Sequence, residues 1–395
     1  DESSPRAHWR GRAPGQPFFA VINITTTHEG QIRSTEEQYR KNTARLKPGD
    51  FHDPARAALP PYYPDTPLVR RDLARHYDNL AAMDQQAGRI LAELAADGLT
   101  DETIIFFFSD HGDGLPRSKR WVYDSGIHVP LIVRFPDGTD AGTVNEELVS
   151  FVDFAPTMLS LLGLKIPEHM QGQAFLGPKK TGPRKYVYAC RDRMDPAPET
   201  IRAVRDERFK YIRNYRPDLP YVGYIPYRDQ AAIMQEIHRL NRAGQLGPDS
   251  WQLWATKKPL EELYDTETDP YEIHNLASDP RYFEKLADLR EAHQQWTRET
   301  GDLGHMPETE LIKKLWPPDG KQPTTADPAI HVDGGTVTIR CETDGASIAY
   351  RLNRGDRWLL YTKPFQLGPN DRIEAQAIRL GWKKSGVVSV TTSER

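Results

Sequence analysis

Apolar residues along this chain come in two rhythms. Two short apolar runs, residues 17–24 (interrupted only by Asn23) and 104–108, are bounded by turn-forming residues, which predicts strands buried on both faces. Between them, Leu73, Tyr77, Leu80, Ala81, Ala87, Ile90, Leu91 and Leu94 recur at helical spacing. Thr66 as N-cap and Pro67 at the first helical position start that helix, and Gly98 ends it. A third apolar run follows at 131–135, and residues 150–164 read as a helix with Pro156 in its first turn. Strand, helix, strand, helix in this order predicts an α/β fold with a mostly parallel sheet flanked by helices.

From about residue 172 the rhythm changes. Segments 186–190, 200–204 and 209–213 alternate apolar and polar residues at close spacing, which predicts a small antiparallel sheet. Residues 230–243 and 281–300 read as helices, the second packing on that sheet, with Trp251, Trp254 and Trp296 as packing residues. A Pro/Asp/Lys/Thr-rich linker covers 317–327. Beyond it, alternating runs at 336–340, 347–351, 358–361, 372–378 and 386–390 predict a β-sandwich. The expected organisation is therefore 1–171, an α/β domain; 172–316, a small α+β subdomain; and 328–395, a sandwich module.

Composition narrows the function classes. The 395 residues carry 27% charged side chains and a formal net charge of −4, so no basic bias points to nucleic acid. No apolar run approaches the roughly 20 residues that cross a bilayer. Two cysteines, Cys190 and Cys341, build no disulfide framework and are expected to be packed thiols. The chain begins at Asp1 with neither an initiator Met nor a signal peptide, and its first sixteen residues are polar and loop-like. It is expected to be the later part of a longer protein, and its compartment is not readable.

The chemistry concentrates where the second apolar run breaks into Ser109-Asp110-His111-Gly112. Ligands of open α/β sheets collect beyond the carboxyl ends of strands. A carboxylate and an imidazole stand there, with Arg117, Lys119 and Arg120 in the same loop. The first pair can hold a metal and the cations an anion, which reads as half of an anion-processing metal site. His28 follows the first run in the same way. Arg191, Asp192, Arg193 and Asp195 follow the strand ending at Cys190, either as a substrate-binding loop or as a solvated charge cluster.

Three further strings carry a family resemblance: Leu59-Pro-Pro-Tyr-Tyr-Pro-Asp-Thr-Pro67, residues 75–94, and Tyr264-Asp-Thr-Glu-Thr-Asp-Pro-Tyr-Glu-Ile-His-Asn-Leu276. In the last, Leu-Tyr-Asp is followed by Asp-Pro and then Asn-Leu. With the stretch 103–121 and His28, residues 17–316 resemble the sulfatases of the alkaline-phosphatase-like superfamily, and look most like the heparan N-sulfatase (sulfamidase)-like branch. The tail, with Ala349-Tyr350, Tyr361-Thr-Lys-Pro-Phe365 and the string from Ala375 to Trp382, is similar to chitobiase-type C-terminal β-modules.

The resemblance implies an alkaline-phosphatase-like α/β fold and a hydrolase removing O- or N-linked sulfate from a sulfated carbohydrate, as in glycosaminoglycan degradation. It implies that Asp110 and His111 are ligands of a divalent metal, usually calcium. A carboxylate suits that hard ion, whereas an imidazole favours a softer one; relatives carry Asn or His there, so metal identity stays open. Lys119 and His28 match the residues that bind sulfate and serve the leaving group, and Arg193 and Asp195 are candidates for substrate binding. The family's nucleophile motif, Cys or Ser followed by x-Pro-x-Arg and converted to formylglycine, does not occur here. In Ser3-Ser4-Pro5-Arg6 the arginine comes one place too early. The family's Asp-Asp metal pair is absent too. The expectation is an N-terminally truncated chain without turnover of its own. Residues 191–195 depart from sulfamidase's His-rich string, which leaves O-sulfated sugars open as substrates. A phosphodiesterase or phosphonate hydrolase of the same superfamily, and a non-catalytic glycan-binding protein, are the alternatives. A periplasmic or secreted location follows from the resemblance alone.

Overall fold

The computed structural model of the chain describes residues 4–355 and 357–392, so Ser3 of the Ser-Ser-Pro-Arg string lies outside the described residues. The chain divides into two compact units, Asp1–Gly301 and Asp302–Arg395.

The first unit opens with two short helices, α1 (Glu29–Ile32) and α2 (Glu36–Thr43), and the thirty-residue α3 (Pro67–Ala96). The Thr66 hydroxyl accepts from the Val69 N–H at 3.3 Å, and Pro67 needs no hydrogen-bond acceptor at this position, so the sequence signals start α3 as expected. Next come β1 (Ile105–Phe108), the single-turn α4 (Asp124–Ile127), β2 (Leu131–Arg134) and α5 (Phe154–Leu161). Strands β3 (Val187–Arg191), β4 (Ile201–Arg205), β5 (Phe209–Asn214) and β6 (Glu261–Asp265) form an antiparallel sheet in that order. Between β5 and β6 lie α6 (Ala232–Arg242) and α7 (Trp251–Trp254), and α8 (Phe283–Thr300) closes the unit.

Three of the packing centres in this unit bear on the site. Val69 and Leu73 of α3 meet Ile233 and Ile237 of α6 around Tyr62, Tyr63 and Leu115. Trp121, Val122 and Tyr123 pack on Ile201, Ala203 and Ile212 of the sheet. Leu286 and Leu289 of α8 cover Val204, Tyr211 and Leu263 on the sheet's other face. The loop after β1 thus lies against the antiparallel sheet, which matters for the site.

Several expectations change. Residues 17–24 form no strand among the described residues, and Phe19 and Val21 stand 77% and 68% exposed. A strand persists only by exchanging hydrogen bonds with a neighbour, and no described segment supplies one. The expected parallel pairing is not what joins β1 and β2: they pair antiparallel, from Ile105↔Arg134 to Phe108↔Leu131. Only a loop and one helical turn connect them, and a parallel pair needs a crossover connection. The end of β1 is also uncovered, with Phe108 exposed. Cys190 is exposed rather than packed, because strand alternation turns its neighbour Arg191 inward instead.

In the second unit, α9 (Glu308–Leu315) precedes seven strands: β7 (Ala329–Asp333), β8 (Thr336–Arg340), β9 (Ala346–Leu352), β10 (Leu359–Leu360), β11 (Phe365–Gln366), β12 (Arg372–Arg379) and β13 (Val388–Thr391). They form sheets ordered β10-β9-β12-β13 and β11-β8-β7. Val337 and Ile339 of one sheet share a core with Ile373 and Ala375 of the other, the sandwich its alternation predicts.

Candidate active site

The loop after β1 is built by close approaches that only glycine permits. The Gly112 N–H donates to the Gly126 carbonyl at 2.9 Å, and a Cβ on Gly112 would fall 1.8 Å from the Ser125 carbonyl oxygen. A Cβ on Gly114 would fall 2.3 Å from the Glu29 Cβ. The second glycine therefore seats the loop directly on the start of α1. His28 caps that helix, and so the loop's cations and His28 meet although 91 positions separate His28 from Lys119 in the chain.

Arg117 and Arg120 take positive φ, 68° and 77°, an uncommon conformation for residues with a side chain. The Arg117 guanidinium compensates by being buried between the rings of Tyr62 and Tyr123, at 4.5 and 4.0 Å. It donates to Gln252 Oε1 at 2.5 Å and to the Glu272 carbonyl at 2.9 Å. The Lys119 N–H donates to the Asp113 carbonyl at 3.0 Å, and Ser125 Oγ donates to the Arg117 carbonyl at 2.7 Å. Beneath the loop, fully buried Lys210 of β5 bridges Asp124 at 2.5 Å and Glu272 at 2.8 Å.

Glu29 organises the cations. Its oxygens accept from both terminal nitrogens of Arg120, at 2.6 and 2.7 Å, and Lys119 Nζ lies 3.3 Å from Oε1. Burial pushes the Glu29 carboxyl up, but the hydrogen bonds and charges of Arg120 and Lys119 outweigh it and hold the group below its ordinary value. Lys119 keeps 19% of its side chain exposed, whereas Arg120 is covered.

His28 Nδ1 accepts from the Gly30 N–H at 3.2 Å, so in the neutral ring the proton sits on Nε2. Partial desolvation and then the Lys119 charge hold this imidazole below its ordinary pKa, with Glu29 opposing. His111 is fixed the opposite way: Nδ1 lies 2.6 Å from the Gly112 carbonyl, which can only accept, so Nδ1 carries the proton. His111 Nε2 keeps its lone pair and lies 3.6 Å from Asp110 Oδ1, on a carboxylate 83% exposed. An oxygen and a nitrogen lone pair side by side suit two positions of a divalent cation's shell. Among the described residues, no group of three or more His, Cys, Asp or Glu side chains converges to complete one.

The site residues read from sequence thus divide. His28, Lys119, Asp110 and His111 gather on one loop and the helix start it touches, and His28 feels the charge of the other three. His28 serves as a helix cap rather than ending a strand. Arg193 and Asp195 lie on the exposed turn after β3, where Arg193 donates to the Pro196 carbonyl at 3.4 Å and Asp195 has φ 51°. Sequence reasoning missed Glu29, which only its contact with Gly114 brings into play. It also missed Tyr227 and Arg228: the Tyr227 ring lies 6.4 Å from that of His28, and Arg228 contributes charge beside Glu29 and Arg120.

Comparison with known proteins places the chain in a family. The sulfatase family profile matches residues 7–164, and that of the N-sulphoglucosamine sulphohydrolase C-terminal region matches 116–222. An ulvan-active sulfatase of Formosa agariphila is 43% identical over 424 aligned positions, covering 100% of this chain and 71% of the relative. Human N-sulphoglucosamine sulphohydrolase is 29% identical, over 73% of this chain and 62% of its own length. A solved structure of a protein in complex with its substrate D-glucosamine-2-N,6-O-disulfate aligns with TM-score 0.47 and 21% identity, over 69% of this chain and 48% of that one. The chain thus spans about half to seven tenths of these relatives. From the 43% identity to the ulvan-active enzyme along the whole of this chain and the family profile across residues 7–164, this chain belongs to the sulfatase family.

Proposed function

We propose that these residues form the sulfate-holding half of an enzyme that hydrolyses O- or N-linked sulfate from a sulfated carbohydrate. The observation that carries this reading is the meeting of Lys119 and His28 over the Glu29 carboxylate. Lys119 Nζ, partly exposed beside a carboxylate already saturated by Arg120, is the cation available to a sulfate oxygen. Its positive charge stabilises the negative charge that grows on those oxygens as the bond to sulfur breaks. His28 presents Nε2–H, and a bound sulfate raises its proton affinity against the lowering by Lys119, so it can deliver a proton to the departing oxygen or nitrogen. The names of the similar proteins, an ulvan-active sulfatase and a sulphoglucosamine sulphohydrolase, support a polyanionic glycan as the substrate class.

Asp110 and His111 would supply two ligands of a divalent cation, calcium by family resemblance, which as a Lewis acid neutralises sulfate charge when bound. A formylglycine side chain supplies the attacking hydroxyl in this family, and the 395 residues contain no Cys/Ser-x-Pro-x-Arg to form one. We infer that this chain by itself does not turn over. The test is sulfate release by the full-length protein from sulfated oligosaccharides, with aryl sulfate and aryl phosphate compared. Sulfate release with little phosphate release is expected. Faster phosphate-ester turnover, or activity of the 395-residue chain alone, would overturn the respective statement.

A further inference from the structure

Arg191 ends β3, is 5% exposed, and places its Cζ over the Trp121 ring, 4.4 Å from the centroid. Its Nε and Nη1 are both buried without a hydrogen-bond partner. Leaving charged donors unsatisfied out of water is costly, and the surroundings do not cure it. The carboxylates of this neighbourhood are engaged elsewhere: Asp192 by Arg202 at 3.0 Å, Glu29 by Arg120, Asp229 by Arg228 at 2.6 Å, and Glu199 by buried Lys258 at 2.6 Å. The Nε of Arg120 is buried with no acceptor as well. Positive charge therefore exceeds negative charge around Arg191. Burial, with Arg228 and Arg120 adding to it against Glu199, pushes the guanidinium down to about 10.

This excess adjoins the sulfate-holding residues. Arg120 is the immediate neighbour of Lys119, and Arg228 follows Tyr227, whose ring faces His28. Nε and Nη1 of Arg191 are buried donors without an acceptor, so an oxyanion that reached them would gain a forked contact. We propose that Arg191, flanked by Arg120 and Arg228, is a second anion subsite that selects a carboxylate or a second sulfate on the glycan beside the sulfate being removed. This rests on the sulfatase reading above and deepens it. Arg191 is a specificity residue: it touches the substrate's neighbouring anion and not the reacting sulfur. The exposed turn 192–196, with Arg193 and Asp195, then follows the subsite without forming its centre.

The test uses the full-length protein, its Arg191→Met and Arg191→Lys variants, and four ligands. These are a monosulfated monosaccharide, a sulfated disaccharide carrying a uronate, its carboxyl-reduced counterpart, and a disulfated disaccharide. Arg191→Met is expected to lower kcat/KM by about 10- to 100-fold for ligands bearing a second anion, the scale of a lost charged hydrogen bond, and hardly at all for the monosulfated sugar. Arg191→Lys restores part of the difference. Loss on the uronate but not the disulfated ligand identifies the carboxylate as the natural occupant, and the converse identifies a second sulfate. An equal loss on all four ligands, or a wild type indifferent to the second anion, overturns the proposal. Calorimetric binding of the same ligands reads the same selectivity ratio independently of catalysis. A protein that releases no sulfate yet keeps that ratio would refute the sulfatase reading while leaving the subsite standing.

Discussion

A Cβ placed on Gly114 would lie 2.3 Å from the Glu29 Cβ and 2.5 Å from its Cα, so backbone meets backbone where the loop after β1 crosses the start of α1. No flexible side-chain tip is available there to yield. Gly114→Ala should push the loop off α1, at a cost of about 1–3 kcal/mol, the range for overpacking a tight contact. Urea unfolding of the 395-residue chain and sulfate release by the full-length protein should fall together. A variant normal in both would show that the contact does not place Lys119.

Lys119 and Glu29 differ in what they hold. Lys119→Ala leaves the two Arg120 hydrogen bonds to Glu29 in place, so stability should change by less than about 1 kcal/mol, as for a partly exposed ion pair. Activity of the full-length enzyme should fall about 100- to 1000-fold, the scale of losing one preorganised charge-stabilising group. Near-normal turnover would remove Lys119 from the sulfate site.

Glu29→Gln breaks a covered ion pair and should destabilise the chain by roughly 3 kcal/mol at neutral pH. Because the folded Glu29 pKa lies below its ordinary 4.5, its stabilisation is present above that value and is lost as pH falls through the lower folded value. Wild-type and Glu29→Gln stability curves should therefore converge in acid. Curves that stay parallel from pH 7 to pH 3 would refute the assignment.

His28 should titrate below 6.5 in the free protein, with its neutral tautomer protonated at Nε2. Nitrogen-15 shifts of the imidazole read both properties. Adding inorganic sulfate should move the titration upward, and Lys119→Ala should do so without sulfate, because each offsets or removes a positive neighbour. A His28 that ignores both changes does not share a site with Lys119.

What the sequence made legible was local. Thr66, Pro67 and the apolar stripe specify α3 because caps and periodicity act within one helix. Ser109 to Lys119 stands out as a polar turn with candidate chemistry because its glycines, acid, imidazole and cations fall in one short stretch. Glu29 could not, since nothing around it announces an ion pair with a residue 91 positions away. Residues 17–24 have a strand's composition, but composition does not supply the hydrogen-bonding neighbour. At the end of β3, attention fell on Arg193 and Asp195 because charged turns look functional. The strand's alternation instead buries Arg191, and two-residue periodicity fixes which side faces in only when the sheet's partner is known.

Arg117 reaches residues 252 and 272, so the loop carrying Lys119 is completed by chain made some 150 residues later. During synthesis the ribosome releases Asp110, His111 and Lys119 long before the groups that clamp them. The loop after β1 should therefore be among the last parts of this unit to acquire its final shape, since contacts so distant in sequence form late. A ribosome stalled before residue 272 would carry Asp110, His111 and Lys119 and still lack the groups that clamp their loop.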